Sequence, residues 1–280
     1  MASAADNGSR RGQRASRTAS KQTRVASLAR AWLSVAGGTS RTLAGSIVSR
    51  KSRGRLVRLA REFGYTHGFA PEPTLPPVFD SAVAPETTPI VVREAAERDG
   101  NVTLRELVVL NRIVASRKPK RLFEIGTFDF RTTVNLAANA PQGNVLTLDL
   151  PPDHPSALPI EEHDAKYVGR GPGLARTAAA DERARITALH GDSASFDFAP
   201  YHGAMDFVFV DGAHSYEYVH HDSATALRIA ASGAVIVWHD YGAWPGVTEA
   251  LNELHIHDAR FSGLRWILGT TLAVLDTGSR

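Results

Sequence analysis

Along this 280-residue chain the apolar positions follow two regimes that meet near residue 103. Beyond Arg121 short apolar runs alternate with stretches of helical periodicity, the pattern of a parallel sheet joined by crossover helices. The runs predict strands over 121–126, 144–150, 185–190, 205–211 and 233–239, and helices over 129–140, 216–230 and 246–255. A closing pair, 263–268 and 271–276, is split by Gly269-Thr270 and predicts an antiparallel edge. The expected fold class is therefore α/β, a Rossmann-like doubly wound sheet of about seven strands with the last strand antiparallel, preceded by a basic N-terminal extension. Just ahead of the first strand, Thr103-Leu-Arg-Glu106 reads as a capping box. Leu107, Val108, Leu110, Ile113 and Val114 give that helix a buried stripe, and it should end near Lys118-Pro119 and lie against the first strand.

Before residue 103 the pattern is different. The first 24 residues are mostly Ser, Thr, Ala and Arg with little to bury and read as disordered. Between Val25 and Phe63 apolar residues such as Leu28, Trp32, Leu43, Ile47 and Leu56 return among Arg and Lys, which predicts one or two basic amphipathic helices. Six prolines between Pro71 and Pro89 make a stiff, extended connector. The expected organisation is an arm over 1–62, a connector and cap over 63–102, and a catalytic domain over 103–280. An insert at 151–183 is too long for an ordinary connection and reads as an active-site lid.

Charge sharpens this division. The net charge is +3, yet residues 1–61 hold 14 Lys and Arg against the single acid Asp6, which leaves 18 basic and 28 acidic residues for 62–280. An acidic body argues against a broad nucleic-acid face on the globular part. The arm keeps three readings: a solvated extension, a contact to anionic lipid or nucleic acid, or an organellar presequence. The absence of cysteine excludes disulfides, thiolate metal sites and a cysteine nucleophile. No apolar run reaches the roughly 18 residues of a membrane span, so a cytoplasmic protein is expected, with a peripheral membrane contact as the arm's alternative.

Candidate chemistry collects where strands end. Leu122-Phe-Glu-Ile-Gly-Thr127 runs from a strand into a glycine turn ahead of a helix, where backbone can approach a ligand and free amides are offered. Asp149 closes the next strand and suits a ribose diol. One glycine preceded by Glu124 disfavours a pyrophosphate, whereas a cationic sulfonium and ammonium tolerate nearby carboxylates. Glu124, Gly126, Thr127 and Asp149 are thus candidate contacts for S-adenosyl-L-methionine, and Asp192 in Gly191-Asp-Ser193 is one for the adenine amino group. Val210-Asp-Gly-Ala-His-Ser-Tyr216 and Val237-Trp-His-Asp240 end the next two strands with further carboxylates and imidazoles.

Together these segments resemble the class I S-adenosylmethionine-dependent methyltransferases. The closest similarity is to the subgroup whose fourth strand ends in Asp-Gly-x-His-Ser-Tyr, including macrocin-type sugar O-methyltransferases. The resemblance covers roughly 103–276. It implies a seven-stranded sheet with a reversed last strand, a methyl donor over the first two strand ends, and a metal-assisted hydroxyl acceptor over strands four and five. It also implies metal binding by Asp211, which doubles as a cofactor contact, and by the pair after strand five, with His214 as general base.

Methyl transfer from a sulfonium needs mainly a positioned, activated acceptor oxygen, which two carboxylates on a divalent cation (Mg or Mn) and a nearby imidazole can supply. The expected ligands are Asp211, His239 and Asp240. Where metal-binding members carry two consecutive acids this chain has His239-Asp240, and histidine suits Mn, Fe or Zn better than Mg. Neighbouring residues of a strand face opposite ways, so both can reach one ion only where the strand has broken. Phe128 and Phe130 stand where many methyltransferases have glycines. Tyr216, Trp238, Tyr241 and Trp244 are candidates to wall the acceptor pocket or simply to pack. His154, His163, His220, His221 and Asp222 read first as surface or structural residues. The partner expected is a small-molecule hydroxyl acceptor, with homo-oligomerisation left open. A metal-independent enzyme relying on His214, and a non-catalytic cofactor-binding protein tethered by its arm, are the competing readings.

Overall fold

A computed structural model of the protein describes residues 71–160, 164, 166–168 and 178–278, together with 37, 38, 40, 41 and 44. Two compact units are present, Met1–Phe69 and Ala70–Arg280. In the first, the described residues Gly37, Gly38, Ser40, Arg41 and Ala44 are helical and exposed. Most of the expected amphipathic arm lies outside the described residues. Among the described residues no helix is long and apolar enough to cross a membrane.

The second unit is built on one eight-stranded sheet. Its strands are β1 (Pro77–Val78), β2 (Arg121–Ile125), β3 (Asn144–Asp149), β4 (Ile186–His190), β5 (Met205–Val210), β6 (Ala230–Trp238), β7 (Arg265–Ile267) and β8 (Ala273–Asp276). Four longer helices accompany it: α1 (Leu104–Arg117), α2 (Arg131–Asn139), α3 (Tyr216–Ile229) and α4 (Pro245–His257). The order across the sheet is β1-β7-β8-β6-β5-β2-β3-β4. Strands β2 to β6 are mutually parallel, and β8 runs antiparallel to both β6 and β7.

The seven strands from β2 onward correspond to the seven read from periodicity. The eighth, β1, comes from the proline connector. Pro76 and Val78 offer carbonyls to the amides of Trp266 and Leu268 at 3.0 and 2.9 Å. Pro77 removes a donor, which an edge strand tolerates. The connector therefore belongs partly to the body of this unit instead of merely leading to it.

Alternation along the strands divides the core into two layers. Phe123, Ile125, Val208, Val210, Ile236 and Trp238 face α3 and α4, packing with Val219, Ile229, Val247 and Leu251. Leu122, Val145, Phe207, Phe209, Val235 and Val237 face the other way, with Leu107, Leu110 and Ile113 of α1 and Leu136 of α2. With helices on both faces, only the strand ends remain open for chemistry. The chain leaves β2 for β3 and β4 and returns on the other side as β5, so a crevice opens at the carboxyl ends of β2 and β5.

Candidate active site

Gly126 ends β2 with φ of 96°. A Cβ there would lie 1.9 Å from the carbonyl oxygen of Asp211. Glycine is required because two strand ends touch, a reason apart from any ligand. The turn that follows is tight: Phe128 and Phe130 both occupy the left-handed region, with φ of 49° and 66°. This conformation costs a non-glycine residue roughly 1 kcal/mol or more and persists only where the surroundings enforce it. Thr127 donates its amide to Asp149 at 3.2 Å. Burial pushes the Asp149 carboxyl up, and the amides of Thr127, Phe128 and Leu150 pull it back.

Glu124 is fully buried on the α1–α2 side of the sheet. It accepts hydrogen bonds from the hydroxyls of Thr133 and Thr147, while Oε1 has no partner. Burial raises its carboxyl to about 8 against the pull of those hydroxyls. Thr127 is linked to this chain through Thr147, with 2.6 Å between the hydroxyls. Asp192 is equally enclosed: it accepts from Tyr218 Oη at 2.9 Å, Ala194 N at 2.9 Å and Ala157 N at 2.6 Å. Gly126, Thr127 and Asp149 therefore line the crevice, whereas Glu124 and Asp192 hold its walls from inside.

Beside the Gly126 turn, at the carboxyl ends of β5 and β6, six titratable groups meet. Strand β6 ends at Trp238, and Asp240 has φ of 65°. The strand has broken there, so His239 and Asp240 turn toward each other, with His239 Nδ1 3.3 Å from Asp240 Oδ2. His239 Nδ1 is also 2.9 Å from Asp211 Oδ1, and its Nε2 lies 3.3 Å from Glu106 Oε2. Glu106 is the capping residue of α1, where it accepts from Thr103 N, and it also accepts from Thr271 N and Oγ1 at 2.7 and 2.8 Å. His214 follows β5. Its Nε2 lies 2.9 Å from Asp240 Oδ2, and its Nδ1 lies 2.5 Å from Asp164 Oδ1. The ring stacks on Trp244 at 4.4 Å and 10°. Gly246 lets α4 come this near, since a Cβ there would lie 2.4 Å from the His214 carbonyl oxygen.

These groups fix one another's charge. Burial opposes a charge on His214, but Asp164 and Asp240 hold its imidazole protonated up to about 10. Burial likewise opposes a charge on His239, and Asp240 and Asp211 still lift it well above the ordinary histidine range. Glu106 is held down to about 2 against burial by His239 and by the amides of Thr271 and Thr103. Asp240 lies far below the usual carboxylate range, also against burial, because both imidazoles face it.

Four carboxyl groups thus meet two imidazoles, a set able to accept a further cation. The donor atoms that converge within 4.8 Å of one another belong to Asp211, His214 and Asp240. The sequence predicts Asp211, His239 and Asp240 as ligands; His214 stands with Asp211 and Asp240 in this converging group, while His239 keeps its contacts to Asp211 and Asp240 and faces Glu106 as well. Asp211 and Asp240 are common to both sets. Two carboxylates and an imidazole suit Mn, Fe or Zn and tolerate Mg through the carboxylates.

The aromatic candidates separate clearly. Trp238 is core, with Nε1 donating to Ser223 at 2.9 Å. Tyr241 is buried and anchors the connector: its hydroxyl accepts the amides of Thr74 and Leu75 at 2.7 and 2.8 Å and donates to Asn252. Tyr216 donates to Glu253 at 2.7 Å. Of these aromatics, the one whose ring lies against a titratable group of the cluster is Trp244. His154 and His220 are exposed, Asp222 is buried on α3, and His163 lies outside the described residues. Two members of the cluster had no functional signal in the sequence. Glu106 was legible only as a helix cap, and Asp164 sits in the insert without a motif.

Comparison with known proteins adds the following. A family model described as a methyltransferase domain matches residues 123–241. No curated protein matches the chain. Among solved structures the chain is similar to the cofactor-bound Rv0187 from MTB, at 19% identity over 71% of this chain and 86% of that one, with a TM-score of 0.42. It is similar to the O-methyltransferase TomG from Streptomyces achromogenes in complex with SAM, at 20% identity over 64% and 83%, with a TM-score of 0.41. A third is CalS11, a TDP-rhamnose 3'-O-methyltransferase of calicheamicin biosynthesis, at 16% identity over 63% and 80%, with a TM-score of 0.43.

Proposed function

We propose, from the match of residues 123–241 to a methyltransferase-domain model, an S-adenosylmethionine-dependent O-methyltransferase acting, with divalent-metal help, on a sugar, glycoconjugate or other small-metabolite hydroxyl. The observation that carries this reading is the convergence of Asp211, His214 and Asp240 beside the Gly126 turn. A donor would lie over β2 and β3, where Asp149 would hold the ribose diol and the Gly126–Thr127 turn would face the methionine portion. An acceptor over β5 and β6 would take the methyl group on its hydroxyl oxygen as the carbon–sulfur bond breaks and S-adenosylhomocysteine leaves.

Asp211 and Asp240 would hold a divalent cation, which would supply charge neutralisation and a lowered acceptor pKa. His214 takes the acceptor proton at Nε2, since Nδ1 is committed to Asp164. With Asp240 facing Nε2 the imidazole stays protonated up to about 10, so the base role requires that Asp240's charge be engaged elsewhere. Ligation through Nε2 is the second reading, favoured by the short spacing of the three donors. The two roles exclude each other because they use the same lone pair. The basic arm would serve as a contact to anionic lipid or nucleic acid on the cytoplasmic side, outside the chemistry.

Calorimetric titration of S-adenosylhomocysteine into the full chain, with and without Mn or Mg, tests the donor half. Binding is expected for the wild type and loss of binding for Asp149→Ala; no binding under any metal condition would sink the proposal. Retained binding without methylation of any hydroxyl in an acceptor panel would favour the non-catalytic alternative.

A further inference from the structure

The structure assigns Asp164 as the positioning residue of His214, a role that rests on the methyltransferase reading above. Asp164 belongs to the stretch between β3 and β4, fifty positions before its partner in the chain. Its side chain is 7% exposed. Both carboxylate oxygens are spent on one residue: Oδ1 lies 2.5 Å from His214 Nδ1, and Oδ2 accepts the His214 backbone amide at 2.8 Å. This double contact fixes the ring relative to its own backbone and keeps a proton on Nδ1. Trp244 stacked on the ring face removes the remaining rotation. Nε2 is left aimed at Asp240 and, with it, at the convergent donors.

Neighbouring contacts place the carboxylate. Tyr167 donates its amide to the Asp164 carbonyl oxygen at 2.9 Å. The Tyr167 ring meets Phe128 edge-on at 5.4 Å and covers Gly100, where a Cβ would lie 2.7 Å from it. Lys166 pairs with Asp99 at 3.0 Å. The left-handed turn after β2, on the donor side, therefore helps to position a carboxylate that acts on the acceptor side. A carboxyl group taken this far from water without a cation is costly unless its oxygens are satisfied, and His214 satisfies both. The arrangement orders an imidazole whether Nε2 accepts a proton or binds a cation, as an outer carboxylate does for a ligating or catalytic histidine.

Proton NMR of the full chain labelled with ¹⁵N-histidine tests the assignment without an acceptor or a metal. The wild type is expected to show a far-downfield Nδ1–H resonance, identified as His214 by its disappearance in His214→Gln. In Asp164→Asn, which has one oxygen for two donors, that resonance should move upfield or vanish, while the variant still unfolds in a single cooperative transition, at a lower temperature, and still binds S-adenosylhomocysteine. A resonance unchanged in Asp164→Asn, or absent from the wild type, overturns the assignment. If Asp164→Asn does not fold, Asp164→Glu keeps the charge and shifts the carboxylate by one methylene. A displaced His214 signal is then expected, and an unmoved one overturns the assignment. Failure of the wild type to bind S-adenosylhomocysteine would count against the methyltransferase reading alone, because the His214 signal can be read without the cofactor.

Discussion

Glu124 shows how a residue two positions from the glycine turn can serve the site without touching its surface. Its carboxyl is enclosed between α2 and β3, capped by the hydroxyls of Thr133 and Thr147, and raised to about 8 mainly by burial. Below its unfolded value of 4.5 the group is protonated in both states and has no effect on the balance. Between 4.5 and about 8 the folded state holds a proton that the unfolded chain has released, so stability falls as pH rises and levels off above the folded value. Glu124→Gln removes this dependence. The melting temperature of the variant relative to the wild type should climb from about pH 4.5 to about pH 8 and stay flat beyond. Parallel melting curves at every pH would show that Glu124 is ionised in the folded protein. The imidazoles of His214 and His239 contribute in the same alkaline direction, but equally in both proteins, so the difference isolates Glu124.

At the scale of elements, α1 and α2 do more than cover the sheet. Asn111 on α1 and Asn135 and Asn139 on α2 present their amides to an extended segment that has no strand partner. Asn139 Oδ1 accepts the amide of Val91 at 2.8 Å, and its Nδ2 donates to the Val91 carbonyl oxygen at 2.8 Å. Asn135 treats Arg93 in the same way, at 2.9 and 2.9 Å. Side-chain amides thus replace the ladder that a neighbouring strand would give, and they hold the connector over the helices. Asn135→Ala leaves the Arg93 amide and carbonyl and the Asn111 amide without this partner. A loss of about 1–3 kcal/mol is expected from groups left unsatisfied, read as a lower urea midpoint with an unchanged slope. A midpoint equal to that of the wild type would mean that water replaces the amide at no cost. The capping box of α1 has a similar double use: Glu106 satisfies the free amide of Thr103 at the start of the helix and also reaches His239.

For the whole molecule, the division at Phe69 and Ala70 separates the basic arm from a body that contains both core layers, the Gly126 turn and all six groups of the cluster. Residues 70–280 expressed alone should melt cooperatively and bind S-adenosylhomocysteine as tightly as the full chain. A tenfold or greater weakening would give the arm a part in the donor site. The acidic balance of the body and the basic arm also predict that any anionic-surface binding is lost with the arm.

Strand and helix identities, the capping box of α1 and the placement of Gly126, Asp149, Asp211, His214 and Asp240 at strand ends were set by the sequence alone. Hydrophobic periodicity and the order of strands leave little freedom in which end of the sheet a residue occupies. Partnerships within the cluster were not set locally. Asp164 reaches His214 over fifty positions and Glu106 reaches His239 over 133. No periodic pattern encodes such a contact, because a carboxylate on a connection or in a cap looks the same whether it meets water or an imidazole. The third member of the converging donor set was decided in the same way: His214 joins Asp211 and Asp240 there, beside an Asp240 backbone in the left-handed region. The eighth strand came from pairing too: Pro77–Val78 extends a sheet edge that exists only once β7 and β8 have folded beside β6.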